Sequence, residues 1–486
     1  MASERNSAVE LDPEQFRALG HRLVDELAEL IADVRSPASR PVVPVQSVSE
    51  VQGAVGDAPL PDEGGPAEEI LREATELVLG RSLLNGHPRF LGYITSAPAP
   101  LGVLGDLLAA GANPNLGGWP LSPVATEIER QTIRWIGELL DFPAGDGILV
   151  SGGNMANFVG LLAARRAKAG WDVRAEGTGG GRLRVYCSAE THTWIQSAAD
   201  MFGLGTDSIR WIEVDGEQRM RTDVLRETIA ADRTAGDAPF LVVGTAGSVS
   251  TGAVDPLPEL RTICDEEGLW LHADGAYGGF AACVPDAPPD LLALREADSV
   301  AVDPHKWLYA PLEAGAVLVR DPQALLDTFS YRPPYYHLDE GTVNYFERGP
   351  QNSRGFRALK VWLALRQAGR TGYAESIAED CRLARVLYEL CDEHPELEAR
   401  TCGLSITTFR YRPDGVDDAE LDRLNEELLD CLQRAGDVFV SNAVIDGSYF
   451  LRACVVNFRT TEDDMRALVE IATRTGAELA GAARVA

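Results

Sequence analysis

Between residues 147 and 320 the chain alternates short apolar runs with helical stretches, and this alternation limits the folds open to it. The apolar runs include GILV at 147–150, FLVVG at 240–244 and LWLHAD at 269–274. Runs of this kind, separated by helices, are typical of a mostly parallel sheet with helices on both faces. Ligands of such sheets bind beyond the carboxyl ends of the strands. We therefore expect the functional residues in the loops that follow the apolar runs.

An amphipathic helix is predicted near the amino end of the chain. Asp12 is suited to the N-cap, Pro13 to the first helical position and Gln15 to the third. Apolar residues then recur at spacings of three and four, so one face of this helix needs a cover. Residues 35–66 are rich in Pro, Gly, Ser and Val without a period and predict a loose linker. An arm of this kind suggests wrapping over another surface, such as a second subunit.

The carboxyl-terminal part of the chain has the pattern of a small α+β domain. A helical stretch at 354–395 is followed by strand-like runs at 405–413 and 450–458, with helices near 417–435 and 461–480. We predict three parts: an N-terminal helical arm and linker at 1–84, a large α/β domain at 85–372 and a small domain at 373–486.

Composition excludes several classes of function. The longest apolar runs fall well short of the roughly 18 residues that a membrane helix needs. The first residues lack the basic start and apolar core of a signal peptide, so we expect a cytoplasmic protein. The net charge of −30 would repel nucleic acid and anionic lipid, which leaves small molecules as the expected partners. The eight cysteines show no C-x-x-C pair and are interpreted as reduced core residues, and no metal site is predicted.

A glycine-rich turn follows the first apolar run. Ser151-Gly152-Gly153-Asn154-Met155-Ala156-Asn157 leads directly into a helical stretch. Free backbone N–H groups and the positive end of a helix dipole suit a phosphate. The turn matches neither a Walker loop nor G-x-G-x-x-G. A tight connection from strand to helix without a ligand is the alternative.

Two charged residues stand at the ends of later apolar runs. Asp274 ends LWLHAD, and Lys306 lies in Asp-Pro-His-Lys-Trp at 303–307. A carboxylate at this place can hold a proton on a heterocyclic nitrogen, and it can equally cap a helix. A lysine in such a loop can be a nucleophile, although most lysines are solvated surface groups.

Taken in order, these motifs resemble the group II pyridoxal-phosphate decarboxylases, which include the aromatic-amino-acid, histidine and glutamate decarboxylases. The motifs that carry the resemblance are Gly-Gly-x-x-Ala-Asn at 152–157, Thr191-His192, Thr245-x-Gly247-Ser248, Thr251-Gly252-Ala253-x-Asp255, His272-Ala273-Asp274-Gly275-Ala276-Tyr277-Gly278-Gly279 and Asp303-Pro304-His305-Lys306-Trp307. The resemblance implies the fold type I of pyridoxal-phosphate enzymes. It also implies a homodimer in which the arm of each subunit lies across the other.

The resemblance also implies roles for individual residues. Lys306 would bond the cofactor pyridoxal 5'-phosphate, Asp274 would pair with its pyridine nitrogen, and His192 would stack on its ring. Further cofactor contacts are implied for the backbone of Asn154, Met155 and Ala156, and for Ser248 and His305. Tyr345 falls, when counted back from Arg354, where decarboxylases of this family carry a loop tyrosine that protonates the substrate Cα. An ordinary loop aromatic is the alternative for Tyr345.

The substrate pocket departs from that of the aromatic decarboxylases. Tyr93, Ser96 and Trp119 are the implied pocket walls, but Asn85 and Gly117 occupy places where those relatives commonly have bulky apolar side chains. This predicts a wider or more polar pocket.

Asp303 is a second departure, because many relatives have asparagine there. A carboxylate near a phosphate is repelled unless it points away or donates a proton, which leaves its cofactor role open.

The expected activity is decarboxylation of an L-amino acid to the amine and CO₂, with an aromatic substrate ahead of aliphatic or acidic ones. Oxidative deamination to an aldehyde, or transamination, is the alternative that keeps the cofactor. A module that binds a nucleotide or another phosphate at the Gly153 loop is the alternative from a different class.

Overall fold

The computed structural model describes residues 7–35, 40–178, 182–332 and 341–483. The helices are α1 Pro13–Asp33, α2 Val48–Val55, α3 Ala67–Arg81, α4 Pro100–Ala112, α5 Pro123–Leu139, α6 Gly153–Lys168, α7 Val173–Glu176, α8 Trp194–Met201, α9 Thr222–Thr234, α10 Leu257–Glu267, α11 Pro289–Leu292, α12 Pro304–Trp307, α13 Ala324–Phe329, α14 Ala358–Asp392, α15 Asp418–Ala435 and α16 Glu462–Ala483. The strands are β1 Asp146–Val150, β2 Leu183–Ser188, β3 Ile209–Ile212, β4 Ala238–Thr245, β5 Trp270–Asp274, β6 Ser299–Val302, β7 Gly315–Val319, β8 Leu397–Gly403, β9 Ile406–Tyr411, β10 Ser441–Ile445 and β11 Ser448–Cys454.

The larger sheet has seven strands in the order β1-β7-β6-β5-β4-β2-β3. Among the described strands of this sheet, only β7 runs antiparallel to its neighbours β1 and β6, so the sheet is mostly parallel, as the sequence predicts. Its strands are buried along almost their whole length, which is why they appear in the sequence as continuous apolar runs. The carboxyl ends of β2, β4, β5 and β6 therefore meet at one edge of the sheet.

The smaller sheet is antiparallel, in the order β10-β11-β9-β8, and packs with α14, α15 and α16 around a core of its own. This confirms the α+β pattern. Helix α14 crosses the predicted boundary between residues 372 and 373 and contains one non-helical residue, Gly369, with φ 65°. The three boundaries given above stay predictions.

The arm agrees with the sequence in α1 and differs from it in the linker. The Asp12 carboxylate accepts hydrogen bonds from the backbone N–H groups of Glu14 and Gln15, as a predicted N-cap should. Within the linker, however, α2 forms with a capping box between Ser47 and Glu50. The sequence interpretation missed this helix because it is too short to show a clear period. None of the described helices combines the length and apolar character that crossing a membrane requires.

Candidate active site

The loops that follow β1, β2, β4, β5 and β6 enclose a cavity of about 450 Å³. Among the residues predicted for the site, the cavity is lined by Asn154, Met155, His192, Asp274, His305 and Lys306. Residues far apart in sequence meet here because each follows a strand of the same sheet.

Lys306 lies in the short helix α12, directly after β6. Its Nζ atom is 2.9 Å from Oδ2 of Asp303. Asp303 is 2% exposed, and its other oxygen, Oδ1, is buried without a hydrogen-bond partner among the described residues. The Nδ1 atom of His305 donates a hydrogen bond to the carbonyl oxygen of Ala314 at 2.7 Å, and burial lowers the pKa of its imidazole. The lysine is thus held as one half of a largely buried ion pair.

The segment after Lys306 is anchored to α14. Trp307 Nε1 and Tyr309 Oη each donate to Oδ2 of Asp380 at 2.8 Å. Burial raises the pKa of the Asp380 carboxyl to about 7. The ring of Tyr277 stacks on Trp307 with 4.9 Å between centroids. The segment from Trp307 to Tyr309 is therefore fixed by two hydrogen bonds to one acceptor and by a ring stacked on Trp307. No sequence motif indicated the role of Asp380.

The glycine-rich turn presents unused backbone donors to the cavity. Helix α6 begins at Gly153, after Gly152 at φ 144°. The N–H groups of Gly153, Asn154 and Met155 have no acceptor among the described residues, as expected for a first helical turn. The N–H of Ala156, in contrast, donates to the carbonyl oxygen of Gly152 at 3.0 Å. The phosphate contact expected of Ala156 stays a prediction, and the free amide of Gly153 is an additional donor that the motif did not indicate.

Asp274 is held at the end of β5 by two donors. Its Oδ2 accepts a hydrogen bond from Trp194 Nε1 at 2.7 Å, and its Oδ1 accepts one from the backbone of Ala276 at 3.2 Å. The bond from Ala276 is the local contact that a helix-capping residue would make. The bond from Trp194 comes from a separate element, α8. Trp194 also lines the cavity. Sequence reasoning missed this indole, although it stands two residues after the motif that contains His192.

Two histidines lie near this carboxylate in different environments. His192 is exposed to the cavity, and its Nδ1 accepts from the backbone of Trp194 at 3.2 Å. Its ring is therefore oriented and open to a flat ligand. His272 is wholly buried between Ser299 Oγ and Asn157 Oδ1, each at 2.7 Å. Burial lowers its pKa to about 4, so it is a neutral support within the core.

Ser248 and Tyr345, like Ala156, do not line this cavity. Ser248 is 2% exposed and pairs with Thr251, with 2.9 Å between the two hydroxyl oxygens. Tyr345 is 1% exposed, and the guanidinium carbon of Arg354 lies 4.6 Å from the centre of its ring. Arg354 is in turn paired with Glu129 at 2.5 Å in the core. The structure thus places Tyr345 among buried structural residues and separates it from Lys306.

The predicted substrate walls are also dispersed within this chain. Ser96 donates to the carbonyl oxygen of His305 at 2.9 Å and lines a second, mainly apolar cavity of about 370 Å³. Asn85 lines that cavity as well, and His305 and Leu312 are common to both cavities. Tyr93 is 56% exposed, and Trp119 lines a separate surface hollow. Of the three predicted walls, Ser96 is the one with a described hydrogen bond to the residue that precedes Lys306.

The residues present fit pyridoxal phosphate. The unused amides of Gly153, Asn154 and Met155 suit its phosphate, and the Asp274 carboxylate suits its pyridine nitrogen. The cavity, with a lysine amine at one side and an open imidazole above the sheet edge, defines a fold type I pyridoxal-phosphate enzyme.

Comparison with known proteins identifies the family. Residues 52–412 match the sequence model of the "Pyridoxal-dependent decarboxylase conserved domain". The aromatic-L-amino-acid decarboxylase of Bacillus atrophaeus is 32% identical over 464 residues, which cover 94% of each chain. A phenylacetaldehyde synthase of Petunia hybrida is 30% identical, covering 92% of this chain and 91% of its own. The crystal structure of Oryza sativa TDC with pyridoxal phosphate and tryptamine superposes with a TM-score of 0.90 at 26% identity, covering 98% of this chain and all of the other. The chain belongs to the pyridoxal-dependent decarboxylase family, and pyridoxal phosphate is its cofactor.

Proposed function

We propose that this enzyme converts an L-amino acid with a neutral, preferentially aromatic side chain to the corresponding amine and CO₂. The observation that carries the proposal is the meeting of Lys306, Asp274, His192 and the unused amides of α6 in one cavity. The similarity to the Bacillus decarboxylase supports an aromatic substrate. Glu190 and Glu313 also line the cavity, and their charge opposes a substrate with an acidic side chain.

Each residue of the site has a task that follows from its position. Bound pyridoxal phosphate supplies an electron sink for the pair that CO₂ leaves behind. Asp274 keeps a proton on the pyridine nitrogen, because an adjacent carboxylate favours the charged ring. Trp194 holds that carboxylate in place, and His192 covers one face of the ring. Lys306 would hold the cofactor through its amine and would yield this place to the substrate amine.

An aldehyde product is the second candidate. The Petunia relative carries that activity in its name. Tyr345, the residue expected to protonate Cα, lies in the core and not at the cavity. A slow protonation at Cα would leave time for reaction with oxygen, with aldehyde, ammonia and peroxide as products.

A homodimer in the cytoplasm completes the proposal. Leu104, Leu107 and Leu108 on α4 are each at least half exposed, as are Leu121 and Val124 just beyond it. Apolar residues clustered on a surface are typical of an interface between subunits. The eight cysteines without paired spacing suit a reducing compartment.

The test is a screen of the twenty amino acids for CO₂ release by the enzyme with pyridoxal phosphate, with products identified by mass. An aromatic amine as the main product is the expected result. Aldehyde with hydrogen peroxide would favour the second candidate, and no CO₂ from any amino acid would refute decarboxylation.

Borohydride reduction followed by peptide mapping tests the site itself. Reduction fixes the cofactor to the lysine that carries it, and we expect the label on Lys306 alone. Label on another lysine would refute the assignment of the site without bearing on the product.

A further inference from the structure

We propose that Asp303 takes up a proton when pyridoxal phosphate binds, and that the neutral carboxyl group then donates a hydrogen bond to the cofactor phosphate. The inference rests on the proposed phosphate position at the first turn of α6. It assigns to Asp303 a role in selecting the phosphorylated cofactor and in coupling cofactor binding to pH.

The carboxyl group lies between the lysine and the glycine turn. Its Oδ2 is 2.9 Å from Lys306 Nζ and only 2.7 Å from the position that a Cβ atom on Gly153 would take. The free N–H of Gly153 is one of the donors that suit the phosphate. Asp303 is 2% exposed, so water cannot screen its charge, and Oδ1 has no partner among the described residues. A phosphate bound at this turn therefore meets the Asp303 carboxyl group.

Cofactor binding removes the cation that balances Asp303 and adds an anion beside it. In the structure the Lys306 ammonium pairs with the carboxylate. Once the lysine nitrogen bonds the cofactor, it is no longer an ammonium group available to Asp303. The phosphate brings between one and two further negative charges. Both changes favour the neutral form of a buried carboxyl group.

The other groups that share the cavity do not replace the lost cation. Among the described lining residues, Lys306 is the only lysine or arginine. His305 Nε2 lies 3.8 Å from Asp303 Oδ2, but burial lowers the pKa of His305 and favours its neutral form. The remaining titratable groups of the lining are Asp274 from β5, Glu190 and His192 from the loop after β2, Tyr277 and Glu313. The first turn of α6 and strand β7 contribute no charged side chain. Uptake of a proton from solvent by Asp303 would thus relieve the repulsion between its carboxylate and the cofactor phosphate.

Calorimetric titration of the cofactor-free full-length enzyme with pyridoxal phosphate tests the proposal. Titrations in two buffers of different ionisation enthalpy give the number of protons taken up. We expect the parent to take up about one proton more than Asp303→Asn. Binding that consumes a proton weakens as the pH rises. For each pH unit, the dissociation constant of the parent should therefore rise by about a factor of ten more than that of the variant. Glu266→Gln, which removes an exposed carboxylate of α10 away from the cavity, should resemble the parent.

Pyridoxal without its phosphate separates the possible failures. If the parent binds pyridoxal as tightly as pyridoxal phosphate, the phosphate is not held at the turn, and the proposed site fails. If pyridoxal phosphate is preferred but parent and Asp303→Asn take up equal numbers of protons, only the role of Asp303 fails. Infrared difference spectra of the parent test the proposal without a variant, so the result does not depend on whether Asp303→Asn folds. A protonated-carboxyl band should appear on cofactor binding, and its absence would overturn the proposal.

Discussion

The indole of Trp194 makes one hydrogen bond to the carboxylate that we propose as the partner of the pyridine nitrogen. Its Nε1 donates to Asp274 Oδ2 at 2.7 Å inside the core, where a bond to a charged acceptor is strong. Without this donor the carboxylate can turn away from the pyridine nitrogen. The protonated form of that nitrogen would then be less favoured.

We expect Trp194→Phe to bind the cofactor but to lower kcat about ten- to a hundredfold, in line with roughly 1.5–3 kcal/mol for a hydrogen bond to a charged group. The absorbance of the bound cofactor should shift in the same direction as in Asp274→Asn. Trp171→Phe is the matched control, since that indole donates to the carbonyl oxygen of Gly177 away from the cavity. An unchanged spectrum in Trp194→Phe would show that the indole only fills space.

The position of Tyr345 changes what its substitution should do. Because the residue is buried beside Arg354, removing its hydroxyl should leave the product of the enzyme unchanged. We expect Tyr345→Phe to release the same product as the parent at a similar rate, measured by mass of product and by peroxide formation. A switch from amine to aldehyde in this variant would restore the role that the sequence implied.

At the scale of elements, the phosphate turn depends on the strand beside it. A Cβ atom on Gly315, at the start of β7, would lie 2.5 Å from the backbone of Gly152. Backbone at this distance cannot be accommodated without moving the turn. We expect Gly315→Ala to weaken pyridoxal-phosphate binding at least tenfold, measured by quenching of intrinsic fluorescence. Gly216→Ala, where the added atom meets nothing within 4 Å, is the control and should bind as the parent does.

The contact between α14 and the lysine segment should make stability depend on pH. The pKa of Asp380 is raised to about 7 in the folded chain, above its ordinary value of 3.8. The folded state therefore holds a proton that the unfolded state has lost, and this part of the stability disappears as pH rises from about 4 through 7. Asp380→Asn should remove that contribution, so we expect its free energy of unfolding to improve relative to the parent over this range. Denaturant titrations at several pH values measure the free energy of unfolding. If it changed with pH in the same way for both proteins, the expectation would be contradicted.

Strand ends made much of the site predictable from the sequence. Asn154, His192, Asp274 and Lys306 each follow an apolar run, and the parallel sheet brings them to one edge. Contacts between elements were not predictable, because the bond from Trp307 to Asp380 joins residues 73 positions apart. The role expected of Tyr345 stays a prediction, and its buried position was not predictable either. Counting residues along a loop gives a position in sequence but not which way the chain turns.

At the scale of the whole molecule, α4 is the place to test assembly. Leu108 is 60% exposed, and Leu104 and Leu107 are exposed beside it. We expect the parent to sediment as a dimer and Leu108→Glu to dissociate at micromolar concentration, because a charge in an apolar interface is costly. Val444→Glu, at a 57% exposed position on β10, is the control and should stay dimeric. A monomeric parent, or equal behaviour of both variants, would refute an interface at α4.

The place of β7 in the large sheet has a consequence for how the protein is made. This strand lies between β1 and β6, yet it follows both in the chain. During synthesis the phosphate turn leaves the ribosome long before residues 315–319 are available to pair with β1. Pairing between segments so distant in sequence is slow, and the exposed edges of β1 and β6 are open to wrong partners until then. Strand β1, which leads into the phosphate turn, and strand β6, which leads to Lys306, can therefore be joined in one sheet only after β7 has emerged.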